Sequence, residues 1–212
     1  MAASEPVRDV DPDPPTKKAR ATRAALIKSA GDCFVDDGYG AVTVRDLARR
    51  TQVTSGAIYG HFRNKADLLV AAIRERIASD LEEPLGGRHL GLVDYLTAQA
   101  RSYRSRAAMR ALIVEGAAAS RVDADVRGRL RADQSAKLGD WRSIYRALQD
   151  GGQIDRDVDI ETMVAYLWAA ELGLGVMEAL DVELPKPGRW AATVNRVARS
   201  FASERNQATP AS

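Results

Sequence analysis

Apolar residues recur at helical spacing along most of the 212-residue chain. Leu26, Ala30 and Phe34 lie four residues apart, a spacing that places them on one face of a helix. This pattern begins near Thr22 and stops at residues 38–40, where two glycines flank a tyrosine and favour a turn. No segment shows the alternation of apolar and polar residues that is typical of a strand. The sequence therefore predicts an all-α protein.

Three further helices are predicted directly after this turn, each with a residue that can cap it. Thr43 opens the first, and Asp46 follows three residues later, as in a capping box. Thr54 or Ser55 opens a short second helix, and Asn64 opens a longer third one. Two short helices joined by a tight turn and preceded by a supporting helix form a helix-turn-helix.

From about residue 90 onward the pattern stays helical, interrupted only by glycine and proline turns. The helices expected there are 90–104, 106–120, 123–150, 159–180 and 188–204. We divide the chain into a tail at 1–16, a helix-turn-helix domain at 17–80, a second helical domain at 84–204 and a tail at 205–212. Both tails are expected to be disordered, the first because it combines prolines with acidic residues.

Charge is distributed unevenly among these parts. Residues 17–77 contain 12 Lys or Arg and 6 Asp or Glu, a net charge of +6. Residues 1–16 carry −3 and residues 78–212 carry −1. A basic module beside a nearly neutral body suggests a polyanion partner for one end only, although a solvated charged face gives the same pattern.

Composition excludes several classes of protein. With 45% hydrophobic residues and no apolar run approaching ~18 residues, no membrane span is expected. The N-terminus lacks the apolar core of a signal peptide, so we expect a cytoplasmic protein. Cys33 is the single cysteine, which excludes a disulfide framework or a multi-cysteine metal site and suits a small core residue. No cofactor and no metal are expected.

The segment RTQVTSGAIYGHFRNK, residues 50–65, combines small, aromatic and cationic residues in an unusual way. A helix that enters the DNA major groove needs small side chains in its first turn, which Thr54, Ser55, Gly56 and Ala57 supply. Ala57 can touch a thymine methyl group. The other face of the same helix carries apolar residues, so one face is predicted to pack on the protein and one to meet DNA.

Apolar and polar residues divide between those two faces. Ile58 and Phe62 are expected to hold the helix on the domain core, next to Leu47 and Phe34. Other side chains can reach phosphates of the flanking backbone, which fixes register without reading sequence. The residues with this predicted role are Tyr59, His61 and Lys65.

The block GYGAVTVRDLARRTQVTSGAIYGHFRNKADLL, residues 38–69, resembles the DNA-binding signature of TetR-family (tetracycline-repressor-like) transcriptional regulators. The resemblance implies a homodimeric regulator whose C-terminal domain, residues 84–204, often binds a small effector. It also implies DNA contacts. Carried over to this sequence, they come from Thr43 and Arg45 at the first motif helix, from Thr54, Ser55 and Gly56 in the groove, and from Tyr39, Tyr59, His61 and Lys65 on phosphates.

Two positions depart from the family pattern. Gln52 stands where the motif turn usually has glycine, at a cost of about 1–2 kcal/mol if the position is left-handed. Ser55 stands where many members place Lys or Arg, which leaves the operator sequence open. Tyr39 can equally serve packing. The cations Lys17, Lys18, Arg20 and Arg23 form either an arm over the minor groove or a soluble leader.

The last two predicted helices are expected to form a dimer interface. MVAYLWAAELGLGVM is apolar on more than one face, and its small residues permit close helix approach. The alternative is that these faces fill the core of one subunit. The residues assigned to the interface are Trp168, Ala169, Gly173, Trp190, Val194, Val197 and Phe201.

Aromatic residues and methionines in the same domain can line an apolar effector pocket, or they can be plain core. The candidates are Tyr95, Tyr103, Met109, Ile113, Trp141, Tyr145, Met163 and Tyr166. Glu115 and Glu171 are acids within apolar runs, so each has either a ligand or an internal partner such as an arginine.

The function that these patterns favour is a repressor that leaves a palindromic operator when a small apolar or aromatic effector binds. An enzyme is not expected, because the sequence has two histidines, His61 and His89, and no nucleophile-elbow, P-loop or HExxH motif. An activator of the same fold and a sequence-nonspecific architectural DNA-binding protein remain alternatives.

Overall fold

The computed structural model describes residues 16–82 and 91–203, with the side chains of residues 81 and 82 left out. Within these ranges the regular elements are helices, and the single β-bridge joins Ile154 to Ala202. The all-α prediction is confirmed. The predicted tails, apart from Thr16, and the first residues of the second predicted domain lie outside the described residues.

The N-terminal part contains the helices that the sequence predicts. They are α1 (Lys17–Asp37), α2 (Val44–Thr51), α3 (Ser55–Tyr59) and α4 (Lys65–Glu82). α1 begins five residues earlier than Thr22, because the Thr16 hydroxyl accepts the N–H of Ala19 and caps the helix. The cap predicted at Asn64 is present, since its Oδ1 accepts the N–H of Asp67 at 2.9 Å.

The C-terminal part is formed by α5 (Leu92–Arg101), α6 (Ala107–Val122), α7 (Ala124–Asp150), α8 (Ile160–Ala179) and α9 (Pro187–Phe201). The helix expected at 90–104 ends at Arg101 and continues as a 3-10 turn, Tyr103–Arg106. Asp123 and Asp159 cap α7 and α8 by accepting backbone N–H groups of the first turns.

Two apolar cores hold these helices together. The first contains Phe34, Leu47 and Ile58 of the helix-turn-helix part and continues without a break into Leu112 of α6 and Val126 of α7. The second joins residues of α5, α7, α8 and α9. The chain boundary between residues 80 and 84 is therefore not a boundary in the packing, because α6 and α7 share the core of the N-terminal helices.

α6 lies between α4 and α8, and glycines allow both close approaches. A Cβ at Gly116 of α6 would stand 2.7 Å from Cδ1 of Ile73 on α4. A Cβ at Gly175 of α8 would stand 3.0 Å from Cβ of Arg110 on α6. α6 is thus in direct packing contact with both halves of the molecule.

Candidate DNA-binding surface and C-terminal cavity

The turn between α2 and α3 has the shape that a glycine would adopt. Gln52 is left-handed, with φ 56° and ψ 32°, and its N–H points to the carbonyls of Ala48 and Arg49. A left-handed residue with a side chain costs about 1–2 kcal/mol, so the departure seen in the sequence leaves a strained but helix-capping turn.

α3 has the two faces that the sequence predicts. Ile58 and Phe62 are each 2% exposed and belong to the first core. On the other side, Tyr59 is 55% exposed, and Thr54 and Gly56 are exposed as well. The remaining predicted contacts on this segment, Ser55, Ala57 and His61, are partly exposed. The structure therefore brings the predicted groove and phosphate residues of α3 onto one accessible surface.

Two of the predicted hydroxyl contacts also cap helices. Oγ1 of Thr54 accepts the N–H of Ala57 at 3.1 Å, which leaves its hydrogen available to an outside acceptor. Oγ1 of Thr43 accepts the N–H of Asp46 and donates to the Asp46 carboxylate at 2.6 Å. This bond, with a second one from the Thr43 N–H, lowers the pKa of Asp46. Thr43 thus has only its remaining acceptor capacity to offer DNA.

The arginines near the motif differ in their pairing. Arg49 pairs with Asp46 at 2.9 Å, and Arg50 pairs with Asp36 at 2.9 Å. Arg45 is exposed at the start of α2 and forms no ion pair with the residues that the structure describes. Arg45 is therefore the cation of α2 that can meet a phosphate without breaking an existing bond.

Tyr39 is not a surface residue and does not offer the phosphate contact that the sequence predicts for it. It is 8% exposed, its ring packs 5.6 Å from that of Phe34, and its hydroxyl donates to Asp123 Oδ2 at 3.2 Å. Its backbone N–H donates to Glu115 Oε2 at 2.9 Å. Burial, with the nearby Asp123 carboxylate, raises the pKa of Tyr39 to about 12. The packing alternative holds for Tyr39.

Lys65 is also committed within the protein rather than extended as a phosphate clamp. Its Nζ donates to the carbonyls of Tyr39 at 2.7 Å and Val42 at 2.9 Å. The same ammonium lies 4.1 Å from the centre of the Tyr39 ring. Burial lowers the pKa of Lys65. The prediction of a free phosphate-binding cation is therefore corrected: Lys65 holds the turn before α2.

The N-terminal cations lie on a helix. Lys17, Lys18 and Arg20 are exposed in the first turn of α1. The Arg23 guanidinium lies 4.9 Å from the centre of the Phe62 ring. Residues 17–23 are helical, so α1 presents these cations.

A cavity of about 120 Å³ lies among α5, α6, α7 and α8. It is lined by Tyr95, Leu96, Gln99, Arg106, Met109, Leu138, Trp141, Tyr145, Val164, Leu167, Trp168 and Glu171. Four of the predicted pocket residues, Tyr95, Met109, Trp141 and Tyr145, are among them. The Trp141 and Tyr145 rings stack with their centres 5.9 Å apart.

The other four predicted pocket residues lie elsewhere, which corrects their assignment to this cavity. Tyr103 is fully buried, and its hydroxyl donates to the Pro185 carbonyl. Ile113 borders a separate cavity of about 290 Å³ beside α4. Met163 belongs to the second core, and Tyr166 is half-exposed on the outer face of α8. Helical spacing did not separate these environments, because each needs the packing of several helices.

The polar wall of the cavity was missed by the sequence reasoning. Arg106, 4% exposed, donates from Nε and from a terminal nitrogen to the two oxygens of Glu171, each at 3.3 Å. Gln99 lies four residues after Tyr95 on the same face of α5, and its Nε2 donates to the Tyr95 hydroxyl at 3.2 Å. That spacing was the available signal for Gln99. The pairing of Arg106 with a residue 65 positions away had no local signal.

A buried ion-pair cluster extends from this wall along α8. Arg110 is fully buried and donates to Glu171 at 3.0 Å and to both carboxylate oxygens of Glu178. Each acid in an apolar run thus has an internal partner, which for Glu171 is a pair of arginines and for Glu115 the N–H of Tyr39.

The outer face of α8 is apolar and exposed. Its exposed residues are Ala165, Tyr166, Ala169, Gly173 and Val176, and the exposed Leu180 follows directly after the last residue of the helix. Two predicted interface residues, Ala169 and Gly173, are among them. In the described ranges α8 is the one helix long and apolar enough to span a membrane by length and composition, and 28% of it is buried.

The other predicted interface residues are less exposed. Trp168 packs against the first core and lines the cavity, so its interface assignment is corrected. Trp190, Val194, Val197 and Phe201 on α9 are partly buried. The Phe201 ring lies 6.2 Å from that of Tyr166, which joins the partly buried face of α9 to the outer face of α8.

Comparison with known proteins agrees with this architecture. The family model "Bacterial regulatory proteins, tetR family" matches residues 26–72. The regulator UidR of Escherichia coli is 25% identical over 170 residues, which cover 78% of this chain and 85% of UidR.

Solved structures extend the likeness to the C-terminal helices. A TetR-family regulator from Rhodococcus sp. has a TM-score of 0.76 at 18% identity and covers 87% of this chain and 100% of its own. GusR of Salmonella enterica has a TM-score of 0.68 at 26% identity and covers 85% of this chain and 94% of its own. The relatives are regulators and not enzymes. The helix-turn-helix match at residues 26–72 and the TetR-like fold of the helical C-terminal part together support a TetR-family DNA-binding transcriptional regulator.

Proposed function

We propose that the protein is a homodimeric repressor that binds a palindromic operator and leaves it when a small apolar or aromatic compound occupies the C-terminal cavity. Residues 17–80 bind DNA, and residues 84–204 bind the effector and form the dimer. Such a regulator acts where the chromosome is, in the cytoplasm. The observation that carries the proposal is the position of α6, whose two ends contact the cavity and the helix-turn-helix.

The contact of α6 with the cavity lies at its beginning. Arg106, at the start of α6, and Met109 both line the cavity. The Arg106 guanidinium is held by Glu171 of α8 at 3.3 Å. A ligand that enters the cavity therefore presses directly on α6 and α8.

The contact of α6 with the DNA-binding part lies at its end. Glu115 accepts the N–H of Tyr39, and Asp123 accepts the hydroxyl of the same residue. Tyr39 belongs to the turn before α2, and Lys65 holds that turn from the start of α4. A displacement of α6 is thereby transmitted to α2 and α3. In a dimer it changes the separation of the two recognition helices from the ~34–36 Å that one DNA turn requires.

On DNA, the first turn of α3 enters the major groove. Gly56 supports this placement because a Cβ built there meets only Thr54 Oγ1 within 4 Å, at 3.8 Å. With Ser55 and Ala57, these small residues allow base edges to approach closely. Arg45, Tyr59 and His61 then contact the sugar-phosphate backbone on either side, which positions the helix.

The outer face of α8 supports dimerisation. Val176 is 48% exposed, Leu180 is 69% exposed, and Gly173 has nothing within 4 Å of a built Cβ. An apolar stripe with a small residue at its centre suits the close approach of the same helix from a second subunit. One recognition helix per chain reads a short half-site, so a two-fold dimer matches a palindromic operator.

Selection of tight binders from a random DNA pool at near-physiological salt tests the proposal. We expect a two-fold-symmetric motif from the wild-type protein. Absence of enrichment, together with binding that disappears as salt rises, would identify a sequence-nonspecific architectural protein instead.

A matched pair of variants tests the interface. Leu180→Glu places a charge on the outer face of α8 and is expected to weaken dimerisation at least about 100-fold in analytical ultracentrifugation. Ile144→Glu changes a residue of α7 that is 44% exposed and leaves the dimer intact. Equal dimerisation of both variants would place the interface elsewhere.

A further inference from the structure

The cavity among α5, α6, α7 and α8 contains polar groups that the protein does not satisfy. Tyr145 is 4% exposed and lines the cavity, and its hydroxyl forms no hydrogen bond with the residues that the structure describes. Oε1 of Gln99 is buried and has no hydrogen-bond partner. An unpartnered buried polar group is costly, so the bare Gln99 Oε1, on the same wall as the unbonded Tyr145 hydroxyl, indicates that an outside molecule completes the site.

The two tyrosines of the wall are hydrogen-bond donors. Burial raises the pKa of Tyr95 to about 12, and burial together with the neighbouring Tyr95 raises the pKa of Tyr145. Both hydroxyls are therefore protonated at neutral pH. The Tyr95 oxygen accepts from Gln99 Nε2 at 3.2 Å, which leaves its hydrogen to be donated. A ligand therefore meets two donors and one acceptor, and a single hydroxyl group matches them because it both accepts and donates.

The charges in the wall favour an uncharged ligand. The Arg106 guanidinium already donates to Glu171, to the Ser102 hydroxyl at 3.2 Å and to the backbone carbonyl of Gln99 at 3.0 Å. Glu171 in turn accepts from Arg106 and from Arg110. A charged ligand would have to break one of these buried pairs, which is costly because it leaves an uncompensated charge.

Volume and shape limit the ligand to one ring. The cavity measures about 120 Å³, somewhat less than the roughly 150 Å³ of an apolar cavity that binds benzene, so a single ring is the most that it holds. The Trp141 and Tyr145 rings stack at 22° and 5.9 Å, with Tyr95 6.2 Å from Trp141. Such flat walls suit an aromatic ring in offset or edge-on contact.

We propose that this cavity binds uncharged monocyclic phenols, with the ring beside Trp141 and the hydroxyl between Gln99 Oε1 and the tyrosine hydroxyls. The regulatory meaning of this binding rests on the proposed function, in which the same cavity holds the effector. The binding itself requires neither DNA nor a dimer.

Titration of the full-length protein with four monocyclic probes, followed by ligand-observed NMR and calorimetry, tests the site. Phenol is expected to bind with a Kd of about 1–100 µM, as suits a ligand of seven heavy atoms. Toluene has nearly the same shape but leaves Gln99 Oε1 unpaired, so it is expected to bind about 10–100-fold more weakly. Anisole, which accepts but does not donate, should also lose affinity, and benzoate should not bind because it is charged.

Variants locate the phenol in the cavity. Tyr145→Phe removes an unbonded hydroxyl and keeps the ring, so the fold is preserved while phenol binding weakens about tenfold and toluene binding does not. Gln99→Leu is likewise expected to weaken phenol binding and to leave toluene binding unchanged. Tyr166→Phe removes a tyrosine hydroxyl on the outer face of α8 and serves as the control with wild-type binding.

Several results would overturn the proposal: equal binding of phenol and toluene, tighter binding of benzoate, no binding of phenol up to about 10 mM, or wild-type phenol affinity in Tyr145→Phe. A separate arm measures operator affinity with and without saturating phenol. Phenol binding with the expected selectivity but no change in operator affinity supports the site and contradicts effector release. A symmetric operator motif without any phenol binding contradicts the site and leaves the regulator proposal in place.

Discussion

The DNA-binding part and the C-terminal part of the molecule use their charged residues in opposite ways. In the first, Arg45 is exposed and outside the ion pairs of the described residues, while Arg49 and Arg50 pair at the surface with Asp46 and Asp36. In the second, Arg106 and Arg110 are 4% and 0% exposed and are paired with acids of α8. The contrast teaches that the first part keeps the arginines of α2 at the surface, where Arg45 is left to meet an outside polyanion, while the second part buries Arg106 and Arg110 in ion pairs beside a neutral cavity.

The largest effect is expected where a buried cation is removed. Arg110→Met leaves Glu178 without its partner inside the protein and is expected to lower the free energy of unfolding by about 3–5 kcal/mol, measured by urea denaturation. The control is Arg74→Met, which removes an exposed arginine paired with Asp133 and should cost less than about 1 kcal/mol. Equal losses in the two variants would remove the distinction between the two regions.

The next effect concerns the exposed cation of α2. Arg45→Ala is expected to reduce the slope of log K for the operator against log salt by about 1, because one phosphate contact is lost. Lys65→Met is the matched variant, since its ammonium is bonded to the carbonyls of Tyr39 and Val42. It is expected to lower stability and to change the slope less. A larger slope change for Lys65→Met would restore it as a phosphate clamp.

Tyr39→Phe probes the contact between the two parts. The loss of the hydrogen bond to Asp123 is expected to lower the free energy of unfolding at pH 7 by about 1 kcal/mol. In the folded protein the pKa of Tyr39 is raised to about 12 from an ordinary value of 10. The unfolded state therefore loses its proton first, and the stabilisation by this hydroxyl is present below pH 10 and is lost as pH rises toward 12.

Urea midpoints at pH 7, 10 and 12 measure this effect, because the other tyrosines are common to both proteins and cancel in the difference. The difference in urea midpoint between wild type and Tyr39→Phe should become smaller between pH 10 and pH 12. A gap that stays constant would show that the hydroxyl is not held in the folded state.

The smallest effect lies in the motif turn. Gln52→Gly removes the side chain from a left-handed position, which raises the free energy of unfolding by about 1–2 kcal/mol. The same change makes the unfolded chain freer, which lowers the free energy of unfolding by about 0.4–1 kcal/mol. A net stabilisation of between zero and about 1.5 kcal/mol is expected in thermal unfolding. The comparison variant Arg49→Gly changes an exposed helical position nearby and should instead destabilise by about 1 kcal/mol. Destabilisation by Gln52→Gly would mean that its side chain contributes more than its backbone costs.

The sequence predicted the first region better than the second for a physical reason. The turn at Gln52, the caps at Thr43 and Thr54 and the two faces of α3 depend on residues within about five positions of one another. Local spacing determines such features, so the motif could be interpreted from the sequence. Tyr39 and Lys65 were misassigned because their partners come from distant segments, up to 84 positions away along the chain.

The cavity depends almost entirely on such distant pairs. Tyr95 and Trp141 could be proposed as pocket residues from their type, but nothing near them in the chain distinguishes them from the buried core residue Met163. Arg106 reaches Glu171 across 65 positions. The sequence marked Glu171 as unusual and left its partner open, since only the packing of α6 on α8 decides between a ligand and an arginine.

Backbone hydrogen exchange with and without the selected operator tests most directly whether α6 couples the two regions. Coupling between sites is reciprocal, so DNA that orders α2 and α3 must also alter the element that links them to the cavity. We predict slower exchange in α3, in the turn at 38–43 and along α6 as far as the cavity, with α9 unchanged as the internal reference. Protection confined to residues 17–82, with α6 exchanging as in the free protein, would contradict the account.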